Sequence, residues 1–460
     1  MQKKLKLWDA TMLVMGSMIG SGIFIVSSDM MRNLGSGYWL IVVWIITGIM
    51  TIAAAISYGE LSSIFPKAGG QYTYLTEIFG KRIGFLYGWG MFTVIQTGTI
   101  AAVAVAFGKF TAYLIPWLND AAPIFQSGDF KITWIQILGI FVILLLTFIN
   151  TKGVQSGKML QNIFTASKIL ALLGLIVLGF LLIKDSRWTE NMSFGWDSFQ
   201  NLKSDGWKTI GGATLLGAIA AAMVGSVFSS VAWENVTFVS GEIENPKKNV
   251  VKSMVLGTSA VMVLYLLVNF VYLNALDRDG IAFATNDRVA VAASQNIFGN
   301  AGTIIIAVLV MISTFGCVNG IVLAGSRVFQ TMAKDGLFLK SAIENNKHNV
   351  PEKSLWMQGI WASVLCLSGQ YGDLLDMISF VIVLFYMITV FGVIYLRIKK
   401  PTLERPYKTW LYPITPIIYL FIGTAFCVLL IIFKPQYTWP GFLLILLGLP
   451  VYWLIKKRME

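Results

Sequence analysis

Thr11-Met-Leu-Val-Met-Gly-Ser-Met-Ile-Gly-Ser-Gly-Ile-Phe24 is an apolar stretch of membrane-spanning character with its weakest residues in the middle. Gly16, Ser17, Gly20, Ser21 and Gly22 fall within one short window. Each glycine costs roughly 1 kcal/mol in a helix interior, so the helix is least stable where a lipid-embedded helix should be most stable. Gly16 and Gly20 fit a small-xxx-small packing face. Gly20-Ser-Gly22 places small residues on other faces too, which packing does not need and unwinding does. A second stretch repeats the pattern: Gly225-Ser-Val-Phe-Ser-Ser-Val-Ala-Trp-Glu-Asn-Val-Thr-Phe-Val-Ser240, with polar and β-branched residues crowded over 229–237 and Glu234 near midspan. The two interruptions are about five spans apart, and interrupted helices at matching places in two halves point to an inverted-repeat transporter. Frayed backbone needs a cavity, because lipid cannot satisfy free N–H and C=O groups. The half-helix starting after Gly20 offers N–H groups and a positive dipole end to an anion, and the freed carbonyls accept from a cation. A zwitterion with both charges on neighbouring atoms fits, and α-amino acids are the common case.

The chain has 460 residues, 56% hydrophobic and 13% charged. So few charges cannot cover a soluble surface. Repeated apolar runs of about 20 residues predict an all-α polytopic membrane protein of twelve transmembrane helices. The spans centre near residues 20, 50, 97, 140, 170, 227, 262, 314, 361, 385, 421 and 447. A cleavable signal peptide is not expected: the basic start is followed by a long span without a small-residue cleavage site.

The net charge of +12 reads as orientation, not as affinity for nucleic acid. With a cytoplasmic N-terminus, the external loops hold only Arg32, Lys131, Lys184, Arg187, Lys203, Arg278, Arg288 and Lys434 of the 35 lysines and arginines. The cytoplasmic segments carry most of the rest, including Lys3, Lys67, Lys247, Lys248, Arg397, Lys399 and Lys400. Both termini are therefore expected inside a cytoplasmic membrane, with some attraction to anionic lipid. Cys317, Cys366 and Cys427 all fall within spans, so no structural disulfide is expected. His348 is the single histidine and lies in a polar loop, leaving no material for histidine catalysis or a metal site. No cofactor is expected, and no residue is assigned as catalytic.

Lys168 lies in the apolar run Ile163-Phe-Thr-Ala-Ser-Lys-Ile-Leu-Ala-Leu-Leu-Gly-Leu-Ile-Val-Leu-Gly-Phe-Leu-Leu182. If the helix enters near Gly157, the lysine is roughly 16 Å deep, close to the midplane. A charge there costs several kcal/mol and marks a functional path by default. Snorkelling is the bland alternative, but a stem of about 6 Å does not reach an interface roughly 15 Å away.

These residues carry a family resemblance. Gly16-Ser-Met-Ile-Gly-Ser-Gly-Ile-Phe24, Phe65-Pro-Lys-Ala-Gly-Gly-Gln-Tyr72, Trp233-Glu-Asn-Val-Thr-Phe238, Glu244-Asn-Pro-Lys-Lys248, Ser313-Thr-Phe-Gly-Cys-Val-Asn-Gly320 and Ser326-Arg-Val-Phe329 resemble the amino acid–polyamine–organocation superfamily. Within it they resemble the L-type amino-acid transporter branch and its bacterial relatives. The resemblance implies two inverted five-helix repeats, residues 1–185 and 205–400, with helices 11 and 12 in 405–460. It implies that backbone amides of Gly20, Ser21 and Gly22, with the Ser21 hydroxyl, hold a substrate carboxylate. Carbonyls near Met18, Ile19, Phe228 and Val231 would hold the amino group. Phe228 matches an aromatic gate, and Thr314 and Cys317 match positions lining a side-chain pocket. Lys168 matches a lysine whose ammonium stands in for the sodium ion of sodium-coupled relatives, which implies sodium independence. A buried lysine can also carry a proton, and both roles stay open.

Glu234 departs from the L-type pattern, which usually has an uncharged residue there. It can stabilise the half-helix dipole by about 0.3–1 kcal/mol, serve as a proton site, or be a counter-charge for a cationic amino acid or polyamine. The loop near Asn119 to Lys131 has no cysteine, so no disulfide-linked heavy-chain subunit is expected. Glu60 and Arg327 sit at cytoplasmic span ends, as interfacial anchors or an inner gate. Lys109 reads as snorkelling, and Asp373 and Asp376 as solvated. A membrane enzyme would need a constellation of catalytic groups, and a channel would need polar stripes or charged rings. Two broken helices favour a permease that moves L-amino acids, most simply neutral ones, by exchange or with protons.

Overall fold

A chain crossing lipid must satisfy its own backbone hydrogen bonds, and this sequence does so with helices. The structure is a computed structural model, in which residues 5–66, 69–120, 122–128, 130–153, 157–203, 206–368 and 371–459 are described. Lys3 and Lys67 lie outside the described residues, as does the side chain of Asp373. Among the described residues, 10 helices are long and apolar enough to cross a membrane: Gly37–Ile64, Lys81–Leu114, Trp134–Thr151, Phe164–Leu182, Gly212–Gly241, Pro246–Ala275, Val289–Lys334, Leu374–Lys399, Ile414–Phe433 and Thr438–Ile455. They coincide with ten of the expected spans. The span expected near residue 361 is the helix Glu352–Ser368, 17 residues long. The span expected near residue 20 is two shorter helices, Leu7–Met18 and Val26–Leu34.

The all-α expectation needs a small correction. Two antiparallel hairpins occur in the connections, Phe125–Ser127 with Phe130–Ile132 and Ser198–Gln200 with Lys208–Ile210. The span Lys81–Leu114 also contains a π-helical segment, Met91–Ile95, which no sequence pattern announces.

Small residues bring the helices together, as in other membrane bundles. A Cβ on Gly16 would run into Thr165, one on Gly257 would lie 2.7 Å from Val14, and one on Gly179 would lie 2.6 Å from Val271. At one end of the molecule the backbone N–H of Glu244 donates to the Leu5 carbonyl at 2.9 Å, tying the start of the first broken helix to the end of the second.

Charged groups cluster at the two ends. Glu60 is fully buried and pairs with Arg397 at 2.6 Å and Arg405 at 3.3 Å, and it accepts from the Thr409 backbone N–H at 2.7 Å. It is thus neither a simple interfacial anchor nor paired with Arg327. Its partners come from the Leu374–Lys399 helix and the loop after it. At the other end Asp287 binds Arg32 at 2.8 Å and Lys109 at 3.0 Å. Lys109 therefore does not snorkel, because a carboxylate lies within its reach. Asp376, expected to be solvated, is buried and paired with Lys434 at 2.9 Å. Burial without that partner would be costly.

Candidate functional site at the two helix breaks

The first break spans residues 19–25. The helix Leu7–Met18 ends where Ile19 turns extended, with φ −72° and ψ 91°. Ser21 is back in helical space, Gly22–Phe24 forms one 3-10 turn, and Val26–Leu34 continues. The second break follows Gly212–Ser229. Ala232 takes a left-handed backbone, φ 68°, before the 3-10 segment Trp233–Glu242. A non-glycine residue there stores strain of order 1 kcal/mol, a cost seen mostly where function requires the geometry.

The two breaks meet. A Cβ on Gly22 would collide with Ser229, and one on Gly225 would lie 2.7 Å from Val26. Across residues 18–28 every position is fully buried except Gly20, which keeps some open surface. A Cβ there would sit 3.4 Å from the Cys317 Sγ. The structure therefore brings Gly20 and Gly22, and with them the Ile19 and Ser21 between, together with Ser229 and Cys317. Met18, Phe228 and Val231 are buried in the flanking turns. The hydroxyl of Thr314 is occupied on its own helix, donating to the Val310 and Met311 carbonyls at 2.9 and 3.0 Å.

Lys168 is fully buried, and its ammonium donates to the Gly16 carbonyl at 3.0 Å, two residues before the first helix ends. It also acts electrostatically on Cys317. The lysine thus joins its own helix to the first broken helix and to the helix of Cys317.

Tyr265, Asn269 and Tyr272 were not singled out in the sequence. The Tyr265 hydroxyl donates to the Met18 carbonyl at 3.0 Å, and that of Tyr272 to the Ile23 carbonyl at 3.2 Å. Asn269 accepts from Ser27 at 2.7 Å. The two tyrosines satisfy carbonyls at the break, and Asn269 binds a side chain just beyond it. Their spacing of i, i+4 and i+7 puts three polar groups on one face of an otherwise apolar helix, a signal available in the sequence.

Glu234 is also buried, at 9% exposure, and its Oε2 has no hydrogen-bond partner. Around it lie Tyr58, Tyr87, Tyr386 and Tyr419, each feeling the charge of the carboxyl. All four hydroxyls are buried without a hydrogen-bond partner. The Tyr386 hydroxyl faces the carboxyl yet does not close a hydrogen bond to it. The rings of Tyr58 and Tyr386 pack on Trp233, with centroids 4.8 and 5.3 Å away.

A family model described as "Amino acid permease" matches residues 5–454. The chain belongs to the amino acid permease family. It is 31% identical over 457 residues to the human protein named large neutral amino acids transporter small subunit 2, covering 99% of this chain and 80% of that one. It is 28% identical to human Asc-type amino acid transporter 1, covering 99% and 82%, and 28% identical to the human cystine/glutamate transporter, covering 99% and 85%. This permease is therefore a multi-pass membrane protein of amino acid transport and not an enzyme, as the broken helices led one to expect.

Proposed function

We propose that this permease carries L-amino acids, chiefly neutral ones, across the cytoplasmic membrane without sodium, by alternating access. The observation that carries the reading is the meeting of the two helix breaks around partly exposed Gly20, with the Lys168 ammonium on the Gly16 carbonyl beside them. The substrate carboxylate docks on the N–H groups of Gly20, Ser21 and Gly22 and on the Ser21 hydroxyl, at the positive end of the following half-helix. The ammonium group docks on carbonyls near Ile19, Phe228 and Val231. The Met18 carbonyl already accepts from Tyr265 and keeps a second lone pair for it. Cys317 and the methyl of Thr314 line the side-chain space, and Phe228 closes over the substrate. Lys168 occupies the place of a coupling sodium ion or carries a proton.

The topology that goes with this function has twelve spans. Gly212–Gly241 is broken, like Leu7–Met18 with Val26–Leu34, and Glu352–Ser368 makes up the count. They form inverted repeats over residues 1–185 and 205–400, with the last two helices in 405–460. Both termini are cytoplasmic, and no disulfide-linked heavy chain is needed.

A second reading rests on Glu234. A buried carboxyl whose Oε2 has no hydrogen-bond partner, edged by aromatic rings, suits the side-chain charge of a cationic amino acid or polyamine. One experiment separates the two. Proteoliposomes loaded with unlabelled alanine are offered labelled alanine, leucine and arginine without sodium, with and without an inward proton gradient. The proposal expects alanine or leucine to exchange. Uptake that needs internal amino acid but no gradient means exchange, and gradient-driven uptake into empty liposomes means proton symport. Arginine uptake alone moves Glu234 into the binding pocket and overturns the neutral reading.

A further inference from the structure

The half-helix Val26–Leu34 has 9 residues, too few to hold a helix by itself. Its orientation matters, because it continues the 3-10 turn Gly22–Phe24 and the break before it. Contacts from outside must therefore fix it. One set comes from the short helix Arg278–Ala282. Ser28 donates to the Ile281 and Ala282 carbonyls at 2.8 and 2.9 Å, and Arg32 donates to that of Ala282 at 2.8 Å.

A second set comes from the hairpin of Ser198–Gln200 and Lys208–Ile210. The last carbonyls of a helix have no partner within it. The backbone N–H of Asn201 donates to one of them, the Arg32 carbonyl, at 2.8 Å. Gly35 ends the half-helix with a left-handed backbone, φ 58°. The hairpin lies so close there that a Cβ would stand 2.7 Å from the Phe199 Cβ and 2.8 Å from the Trp207 ring. The chain leading into the hairpin is pinned to the next span. Ser36 donates to the Gly195 carbonyl at 2.8 Å, and the Trp39 indole N–H to the Trp196 carbonyl at 3.0 Å.

Arg278 joins the two sets. Its guanidinium lies over the rings of Trp207 and Phe194, 4.2 and 4.3 Å from their centroids, and 5.7 Å from that of Phe199. Phe194 and Phe199 meet edge to face at 5.6 Å. The neighbouring Asp279 accepts from the Trp207 indole N–H at 2.7 Å. A guanidinium is planar and stacks on flat rings, which an ammonium does not. The Arg278 side chain is 20% exposed, so water competes little for it and the ring contacts are stronger than at an open surface. The hairpin, the half-helix and the helix Arg278–Ala282 are thereby clamped into one body.

We propose that Arg278 is a positioning residue for transport. By clamping the hairpin over the corner at Gly35, it holds the half-helix, and with it the N–H groups of Gly20, Ser21 and Gly22, in the geometry that receives a carboxylate from outside. The proposal rests on the transport function given above. Arg278 touches no substrate and acts through Trp207 and Phe194.

The test reads KM and Vmax separately. Right-side-out vesicles loaded with unlabelled alanine take up labelled alanine. A loss of folded protein lowers Vmax alone, whereas a misplaced half-helix raises KM. Arg278→Ala and Trp207→Leu should each raise KM roughly three- to tenfold, the size of a partly desolvated cation–ring contact, with Vmax per folded transporter within twofold of wild type. The double variant R278A/W207L should be no worse than the worse single, because both remove the same contact. Arg278→Lys keeps the charge without the planar face and should fall between wild type and R278A. If R278A does not reach the membrane, Phe194→Leu takes its place in the cycle. A KM within twofold of wild type in either single variant, or effects that multiply in the double, overturns the proposal while leaving the transport function intact. Wild-type vesicles that exchange no amino acid overturn both.

Discussion

Lys168 concentrates the residue-scale argument. A fully buried ammonium with one hydrogen bond among the described residues, to the Gly16 carbonyl, loses its hydration for little return, so it is kept for function and not for stability. Lys168→Met should therefore reduce transport more than tenfold while leaving thermal stability in detergent equal or higher. A parallel fall of both would make the lysine structural. Glu234 calls for a different measurement. On the neutral-substrate account, Glu234→Gln keeps alanine exchange and removes any accumulation driven by a proton gradient, read from the same liposomes. Lys168 and the glycines at 16, 20 and 22 were legible because each breaks a local rule: a charge in an apolar run, and helix breakers in midspan. The tyrosines around Glu234 were not. They sit at 58, 87, 386 and 419, and only packing gathers them. Tyr265, Asn269 and Tyr272 lay between these cases, visible as a helical face but meaningless until their partners Met18, Ser27 and Ile23 on the first broken helix were placed.

For the broken helices themselves, the decisive fact is that each interruption is shaped against the other. Gly22 has no Cβ because Ser229 occupies that space. Gly22→Ala should destabilise the protein by about 1–3 kcal/mol, as overpacking does, and Ser229→Gly should restore part of the loss in the double variant. The cycle is read from unfolding in detergent. Additive losses would mean that the breaks do not touch. The positions of both interruptions could be read from composition, since glycine, serine and β-branched residues weaken a helix locally. Their contact could not, because it depends on how two spans lie in the bundle. The π-helical segment Met91–Ile95 and the two short hairpins also went unread, as their sequences carry no periodicity distinct from their surroundings.

Across the whole molecule, one end is latched by charged side chains. Asp287 bridges Arg32 on Val26–Leu34 to Lys109 on Lys81–Leu114, and Arg288 adds a bond to the Lys109 carbonyl at 2.9 Å. Burial alone would push the Asp287 carboxyl up, but Lys109 and Arg32 outweigh it and hold it below the usual range. Its stabilisation is fully present above the ordinary value of about 3.9 and is lost only as pH falls through the lower folded value. The latch should therefore be insensitive to pH between about 5 and 8. Hydrogen exchange over residues 26–34, corrected for intrinsic rate, should be flat across that window. It should be faster at every pH in Asp287→Asn, where two cations are left facing each other. A wild-type latch that loosens between pH 8 and 5 would show that another group controls it. Ten of the expected spans were legible from hydropathy, but the latch was not, since Arg32, Lys109 and Asp287 are far apart in sequence. The central claim is that an amino acid binds across the two helix breaks. Cryo-electron microscopy of the protein in nanodiscs with saturating L-alanine tests it directly. The account predicts density with its carboxylate on the N–H groups of Gly20, Ser21 and Gly22 and its ammonium on the carbonyls near Ile19 and Val231; alanine bound elsewhere with those groups unoccupied would contradict it.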